Sequence, residues 1–329
     1  MKLKDIAAEA GVSISTVSRV INNPDLVSTE TVDIVRKILN KYNYSPKNIY
    51  SQIPTDFTKK ICIFSNNILH HHFASTAYIL DDMFFNLGYN SILCSTTDDV
   101  VKMQKHFSHI SERDVDGIVL LGSVFSITEV AHAMKQYFPD TPIVISNGYL
   151  ALPNSHSVLI DHRYGIKEAI LLLIKKGHKK IGLVHSRVTF NAKRKINAFH
   201  EVMKEYNLNI EPNSIFYTDI SIEGGIVVAN QFLAQKCDCT ALIFLDDIVA
   251  VSAMNLFRRK GLAVPDDIAI IGHDNSQLSK CSYPSLTTID GKSELLASVL
   301  GNTLNDLLSD KPVGNTIMIS PKLIIREST

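Results

Sequence analysis

Acidic and histidine side chains follow several apolar runs in the second part of the chain, in positions where they can meet a ligand. Three histidines (residues 70–72) and Phe73 follow the first run, and two later runs lead into Asp246 and Asp274. Carboxylates accept hydrogen bonds from vicinal hydroxyls, and an aromatic face stacks on a ring, as sugar pockets require. These residue types therefore favour a site for a polyhydroxylated small molecule.

Metal binding and catalysis are less well supported by the same residues. Adjacent histidines point in different directions and seldom coordinate one ion, and Cys237-Asp238-Cys239 has no second pair at a zinc-like spacing. The chain has no Gly-x-Ser-x-Gly elbow, and no strand-to-helix turn carries a GxxxxGKS/T or GxGxxG motif. We therefore expect no metal site, no cofactor and no enzymatic activity, and we expect Asp247 to cap the helix that follows it.

Near the N-terminus the residue types suit a different chemistry, the recognition of DNA. Arg19 can pair bidentately with a guanine in a major groove, and it lies among small and polar residues. Two short helical patterns flank the turn Gly11-Val12-Ser13, in which Gly11 suits a left-handed position and Ser13 an N-cap. The apolar positions lie on one face of each pattern: Ile6, Ala7 and Ala10 in the first, Val17, Val20 and Ile21 in the second.

Two helices this short need a third helix to pack against. Ser28 is a suitable N-cap for one, Glu30 lies near its positive end, and an apolar face follows with Val32, Val35, Ile38 and Leu39. The pattern predicts a helix-turn-helix unit with residues 15–22 as the recognition helix. The alternative is a small helical hairpin that contributes only to a core.

This stretch resembles, along its whole length, the headpiece of the lactose/galactose repressor family of bacterial regulators. The matching segments are LKDIAAEAGVSISTVSRVINN, VSTET and YNYSP. The resemblance implies binding to double-stranded operator DNA. The residues expected to contact DNA are Leu3, Ile14, Ser15, Thr16, Ser18, Arg19, Asn22, Ser28, Thr31, Tyr44 and Ile53.

Residues 46–53 carry a separate prediction. Ser45 is a fair N-cap and Pro46 fits the first helical position, but a helix of about eight residues is not stable alone. In the resembling family this segment is the hinge helix, which forms on operator DNA beside its dimer mate and inserts an apolar side chain into the minor groove. The usual family arginine is missing here, and Ile53 stands in for leucine. A plain solvated linker is the alternative.

Composition and charge are those of a globular protein of two or three domains. The chain has 329 residues, 45% hydrophobic and 20% charged. Residues 1–60 carry 9 Lys/Arg against 6 Asp/Glu, and the remainder carries 24 against 27, so a modestly basic head precedes a slightly acidic body. The apolar run 169–174 is too short to cross a bilayer and the N-terminus lacks a signal peptide, so we expect a cytoplasmic protein without membrane contact. Five cysteines, an odd number, predict no disulfide framework.

From residue 60 onward, apolar runs alternate with helical spacing. Predicted strands lie near 61–64, 91–94, 117–121, 142–145, 157–160, 180–184, 214–217, 240–244, 268–271, 286–290 and 316–325. Predicted helices lie near 73–87, 99–113, 128–138, 163–176, 192–206, 222–236, 247–260 and 292–309. Strict alternation implies open α/β sheets with right-handed crossovers, and two such sets imply two Rossmann-like lobes.

This second part resembles the effector domain of the same family, which shares the fold of periplasmic sugar-binding proteins. The matching segments are KGHKKIGLV, GLAVPDDIAIIGHDN and YPSLTTID. A cleft beyond the carboxyl ends of the strands is expected to hold the effector, with contacts from His72, Phe73, Asp161, Arg194, Lys195, Asp246 and Asp274. Lys195 stands at the position of the family's effector arginine, and a lysine cannot fork onto two oxygens as arginine does.

The predicted fold is an all-α helix-turn-helix headpiece followed by a two-lobed, periplasmic-binding-protein-like α/β domain. We expect the headpiece in residues 1–45, the hinge helix and linker in 46–58, and the effector-binding and dimerisation domain in 59–329. Its N-lobe is expected at about 59–160 and 291–320, and its C-lobe at about 162–289 and 321–329.

The expected function is that of a homodimeric transcriptional regulator that binds a palindromic operator. It is predicted to repress carbohydrate-utilisation genes and to be released by a small sugar or sugar derivative, through coupling between two sites. Two alternatives remain open at this point. One is control by a protein partner such as a phosphocarrier protein, and the other is a sugar-binding protein with a vestigial headpiece.

Overall fold

The computed structural model describes residues 3–22, 26–41, 59–186, 188–235 and 237–329. The chain divides into two units at the boundary between residues 58 and 59. The predicted hinge helix at 46–53 lies outside the described residues. Within those residues, no helix combines the length and the apolar character needed to span a bilayer.

Three helices form the N-terminal unit: α1 (Leu3–Ala10), α2 (Ile14–Asn22) and α3 (Thr29–Lys41). The turn between the first two has Gly11 at a φ of +66°, and the Ser13 hydroxyl accepts from the Thr16 N–H at 3.1 Å. Seven buried apolar residues from all three helices form one core: Ile6, Ala7, Val17, Val20, Val32, Val35 and Leu39. The predicted helix-turn-helix unit and its supporting third helix are therefore confirmed.

The second unit contains twelve strands and nine α-helices within residues 59–186, 188–235 and 237–329. The strands are β1 (Lys60–Ser65), β2 (Asn90–Ser95), β3 (Gly117–Leu121), β4 (Ile143–Ser146), β5 (Ser155–Ile160), β6 (Ile181–His185), β7 (Ile215–Tyr217), β8 (Ala241–Phe244), β9 (Ala269–His273), β10 (Thr287–Asp290), β11 (Thr316–Ile319) and β12 (Lys322–Ile324). The helices are α4 (His71–Asn86), α5 (Val100–Ser111), α6 (Thr128–Tyr137), α7 (His162–Lys175), α8 (Phe190–Glu205), α9 (Ile222–Ala234), α10 (Asp247–Arg259), α11 (Gln277–Cys281) and α12 (Ser293–Leu308).

These strands form two six-stranded sheets, one in each lobe. The first has the order β11-β5-β4-β3-β1-β2 and the second β12-β10-β9-β8-β6-β7. All neighbouring strands are parallel except β12, which pairs antiparallel with β10. The predicted alternation of strands and helices is thus confirmed. The chain passes between the lobes after β5, after β10 and between β11 and β12.

One predicted element is wrong, the single strand near 316–325. The structure has two strands there, β11 in the first sheet and β12 in the second. Pro321 lies between them and has no N–H with which to continue a ladder. The sequence pattern is apolar on both sides of the proline, so the change of sheet leaves no periodicity signal.

Helices cover both faces of each sheet. In the first lobe α4 and α12 pack on one face, and α5 and α6 on the other. In the second lobe α7 and α8 cover one face, and α9 and α10 the other. Strands covered on both faces are buried along their whole length, as β3 and β9 are, and read as continuous apolar runs.

Candidate functional site

The helix α2 presents polar side chains to solvent at its N-terminal end. Ile14 and Ser15 are exposed, and Arg19 is exposed one turn later. The Ser13 hydroxyl lies 2.7 Å from the Ser15 hydroxyl and 2.8 Å from that of Thr16. Free N–H groups and hydroxyls at a helix N-terminus suit a phosphate, and the arginine suits a base edge.

The N-terminal end of α3 carries a similar pair of hydroxyls. Ser28 Oγ lies 2.9 Å from Thr31 Oγ1 in an exposed position. The headpiece therefore offers two helix ends with polar side chains to a DNA backbone. The remaining candidates are not placed, because Tyr44 and Ile53, and the side chains of Leu3, Ser18 and Asn22, lie outside the description.

A cavity of about 360 Å³ lies between the two lobes, at the carboxyl ends of both sheets. The first lobe contributes His70, His72 and Phe73, and the second contributes residues at the ends of β8 and β9. The Phe73 ring packs against Gly122, where an added Cβ would approach the ring to 2.9 Å. Glycine at this position thus lets an aromatic face form part of the cavity wall.

Two hydrogen bonds join the lobes across this cavity. His70 Nε2 lies 2.9 Å from Asp246 Oδ2, and the Ser123 hydroxyl donates to Thr189 Oγ1 at 3.0 Å. Burial disfavours a charged His70, but the hydrogen bond to Asp246 and the charges of Asp246 and Asp274 outweigh it, so the pKa of His70 is raised. Asp246 also caps α10 by accepting from the Ile248 N–H at 3.0 Å.

Lys195, His273 and Asp274 form a buried polar group in the same cavity. His273 Nδ1 lies 2.7 Å from Asp274 Oδ1 and 3.2 Å from Lys195 Nζ. Burial alone would raise the pKa of Asp274, but the hydrogen bond from His273 and the charge of Lys195 hold it well below its usual value. Burial lowers the pKa of Lys195, and the carboxylates of Asp274 and Asp246 oppose that effect only in part. Lys195 lies near these carboxylates, but it forms no ion pair with any of the described residues.

The backbone at Asp274 is held in an unusual conformation. Its φ is +100°, a region that non-glycine residues rarely adopt, and its N–H donates to the Ile289 carbonyl at 2.8 Å. The next turn is fixed by Asp247, which accepts from the Ser276 N–H and the Thr288 hydroxyl, each at 2.7 Å. The loop that carries Asp274 is therefore positioned by a second, buried carboxylate.

The expected role of Asp247 needs correction. The cap of α10 is Asp246, because the cap is the residue before the first helical turn and the helix begins at Asp247. Asp247 is instead buried between β9 and β10. Burial, with the charge of Asp274, raises its pKa to about 7.

Two predicted ligand residues do not line the cavity. Asp161 caps α7 by accepting from the Tyr164 N–H at 3.1 Å. The guanidinium of Arg194 lies 6.0 Å from the centre of the Phe190 ring, and its Nη2 lies 3.9 Å from Met318 Sδ. Arg194 directs its side chain away from Lys195 because successive residues of a helix do not share a face.

His72, the remaining candidate, lies in the cavity wall. Its Nδ1 lies 2.9 Å from the Ser293 hydroxyl, and burial lowers its pKa to about 4.

Several residues of the cavity wall have buried polar atoms without a partner among the described residues, and two of them, His162 and Asn66, were not predicted from the sequence. Both ring nitrogens of His162, Nε2 of His273 and Oδ1 of Asn66 have no hydrogen-bond partner among the described residues. All three side chains line the cavity. Asn66 directly follows β1 and His162 is the second residue after β5, so their positions after strands could have indicated them.

Comparisons with known proteins agree with this arrangement. A family model described as bacterial regulatory proteins, lacI family, matches residues 2–47, and a periplasmic binding protein-like domain matches residues 170–329. The HTH-type transcriptional repressor PurR of Pasteurella multocida (strain Pm70) is 31% identical over 330 residues, which cover 99% of this chain and 98% of that protein.

Two solved structures show the same fold over the whole chain. The lac repressor dimer bound to operator and the anti-inducer ONPF matches with a TM-score of 0.78 and 22% identity, covering 100% of this chain and 98% of that one. The transcriptional regulator CelR in complex with cellobiose matches with a TM-score of 0.74 and 21% identity over 100% of both chains. From the headpiece, the two-lobed domain and the identity to PurR, we conclude that this chain belongs to the LacI family of bacterial regulatory proteins and is a DNA-binding transcriptional regulator, not an enzyme.

Proposed function

We propose that this protein represses carbohydrate-utilisation genes and is released from its operator by a small sugar or sugar derivative bound between the lobes. One observation carries the proposal: two carboxylates, Asp246 and Asp274, and the Lys195 ammonium converge in one cavity. Carboxylates accept from sugar hydroxyls, and the ammonium donates to a hydroxyl or ring oxygen. The volume of about 360 Å³ is at the small end for ligand sites and suits a small sugar.

The proposed coupling depends on the His70–Asp246 hydrogen bond, which joins the lobes across the cavity. A ligand hydroxyl that binds Asp246 competes with His70 for the same carboxylate. The relation of the lobes is then set by the ligand instead of by the His70–Asp246 bond. A ligand changes operator affinity only if it binds the two lobe arrangements differently. In a dimer, a shift of the lobes would change the separation of the two headpieces and so weaken their hold on DNA.

A second copy of this chain is the proposed partner for an apolar face on the second lobe. The face, which we call the α9–α11 face, is lined by Ile222, Ile226, Ile248, Val251, Leu256 and Leu278. Ile222 is 56% exposed and Ile226 is 42% exposed, which is unusual for neighbouring apolar residues. A palindromic operator requires two headpieces, so a dimer through this face supplies the required symmetry.

The test begins with selection of DNA that the full chain binds from a random pool. The selected operator is then titrated with a panel of neutral sugars and, separately, with free nucleobases, with gel shift as the readout. Release by a sugar, with a matching rise in the melting temperature, supports the proposal. Release by a nucleobase alone, or by a phosphocarrier protein alone, would replace it.

A further inference from the structure

We propose that the effector carries an amino group, as an amino sugar does, and that its ammonium ion binds between the Asp246 and Asp274 carboxylates. This inference rests on the proposed function, because it assumes that the cavity between the lobes is the effector site. It goes further by assigning a charge to the ligand. The same geometry disfavours sugar phosphates and sugar acids.

The positions of two carboxylate oxygens and one histidine nitrogen provide the first support. One oxygen of Asp246, one oxygen of Asp274 and one ring nitrogen of His70 all lie within 4.8 Å of one another. Charge-assisted contacts between an ammonium and a carboxylate are about 2.7–2.9 Å long, so a nitrogen can contact both carboxylates at once at this spacing. His70 already makes one such contact with Asp246 at 2.9 Å. A ligand ammonium would take over that contact and add Asp274.

The charge of the cavity provides the second support. Among the described residues that line it, the carboxylates of Asp219, Asp246 and Asp274 outnumber two cationic groups, the Lys195 ammonium and the His70 imidazolium. In a partly buried site, unlike in water, a charge interacts strongly with such neighbours. The raised pKa of His70 reports the same field, since the carboxylates outweigh the opposing effect of burial. A cationic ligand is therefore favoured over an anionic one.

An unpartnered acceptor provides a third, independent support. With a proton on Nδ1, His273 donates to Asp274 at 2.7 Å, and its Nε2 is left as an acceptor. His273 is 2% exposed and lines the cavity, and its Nε2 has no partner among the described residues. Buried acceptors are rarely left without a donor. A ligand rich in N–H and O–H groups supplies one, and an ammonium brings three donors where a hydroxyl brings one.

Lys195 adds a hydrogen-bond donor to the proposed site. Its described hydrogen-bond contact is with His273 Nδ1, which cannot accept from Lys195 while it donates to Asp274. The lysine N–H groups are therefore available to a ligand acceptor, such as a hydroxyl or ring oxygen. An amino group that contacts the carboxylates and an oxygen that accepts from Lys195 would then hold the ligand in one orientation.

The test uses matched sets of sugars and the full-length protein. For the gluco, galacto and manno series, isothermal titration at about pH 6.5, where a primary amine is protonated, compares the neutral sugar, the 2-amino sugar, its N-acetyl form and the 6-phosphate. In at least one series we expect the amine to bind tenfold or more tightly than its uncharged N-acetyl form, and the phosphate to bind more weakly than the neutral sugar. Asp246→Asn and Asp274→Asn should each bring the ratio of amine to N-acetyl affinity towards one. Asp161→Asn is the control, because Asp161 lies outside the cavity and asparagine is an equally good cap.

Each other outcome decides against the inference in a recognisable way. Equal affinities of amine and N-acetyl sugars in every series, or tighter binding of a phosphate, would overturn it, while neutral sugars that bind would leave the proposed function standing. Binding of Zn²⁺ or Mg²⁺ alone that depends on Asp246, with no preference for amines, would make the cation a metal ion and the amino group wrong. No binding by any sugar would remove the proposed function and this inference together.

Discussion

Asp247 is expected to make the stability of the second lobe fall as the pH rises. Burial is the main cause of its raised pKa, about 7 against an ordinary 3.8, and the charge of Asp274 adds to it. A carboxyl with a raised pKa holds its proton more tightly in the folded state than in the unfolded state. Its stabilising contribution is therefore complete below about pH 4 and is lost as the pH rises through about 7. The consequence reaches the cavity between the lobes, because Asp247 holds the turn after Asp274.

The size of this effect follows from the difference in pKa. A difference of about three corresponds to roughly 4 kcal/mol, which is an upper bound. Asp247→Asn removes the charge but keeps an acceptor for the Ser276 N–H, while the Thr288 hydroxyl loses its carboxylate at a cost of about 1 kcal/mol. We therefore expect the variant to be slightly less stable than the parent at pH 4 and more stable than the parent at pH 8, by roughly 2–3 kcal/mol.

Urea unfolding of the full chain at the two pH values, followed by circular dichroism, measures this reversal of sign. The comparison of variant with parent removes the contribution of the histidines, which is common to both. Asp140→Asn is a suitable control, because Asp140 is exposed. Its substitution should change the free energy of unfolding by the same amount at both pH values. If the curves of the parent and the Asp247→Asn variant stay parallel from pH 4 to pH 8, the reasoning from burial is refuted.

The remaining predictions concern DNA binding, effector response and assembly. Arg19→Ala is expected to weaken operator binding by roughly 1–3 kcal/mol, because Arg19 is exposed on α2; an equal loss on random DNA in gel shifts would mean that it contacts only phosphate. Ile53→Ala is expected to weaken specific binding by a few kcal/mol at most and to reduce DNA bending; an unchanged bend in a circular permutation assay would contradict the wedge role. Asp274→Ala should still bind operator but respond poorly to the inducing sugar, since a lost buried acceptor costs about 1–3 kcal/mol; release equal to that of the parent would place the ligand elsewhere. Ile226→Glu should convert dimers to monomers in sedimentation, because it would bury a charge in the α9–α11 face; an unchanged dimer would exclude that face.

The sequence was informative where periodicity and position after a strand determine structure. Alternating runs predicted both parallel sheets, because strands covered on both faces must be continuously apolar. Position after a strand likewise predicted that Asp246 and Asp274 lie in one cavity with His72 and Phe73. Both inferences use rules that hold for any open α/β sheet, and neither depends on side-chain conformation.

The predictions that were wrong have a common physical cause. Each depended on the direction that a side chain or a strand takes in the folded protein. Arg194 and Lys195 are neighbours in sequence, but only Lys195 enters the cavity. Asp246 and Asp247 exchange the roles of cap and buried acceptor because the helix begins at Asp247, one residue earlier than a cap at Asp247 requires. The strand near 316–325 divides at Pro321, since the apolar pattern is the same whichever sheet the residues join. Orientation of this kind is decided by tertiary packing and not by local pattern.

The split of each lobe into separate stretches of sequence has a consequence for synthesis on the ribosome. The core of the first lobe combines Leu80 and Phe84 of α4 with Leu296, Leu300 and Leu304 of α12, more than two hundred residues later. A nascent chain therefore exposes one apolar face of this sheet until nearly all of its message has been translated. The second lobe has its principal helices and strands in one continuous stretch and can condense earlier. Chaperone dependence should therefore be greatest for the lobe that is made first, the reverse of the usual order in which N-terminal domains fold before later ones emerge.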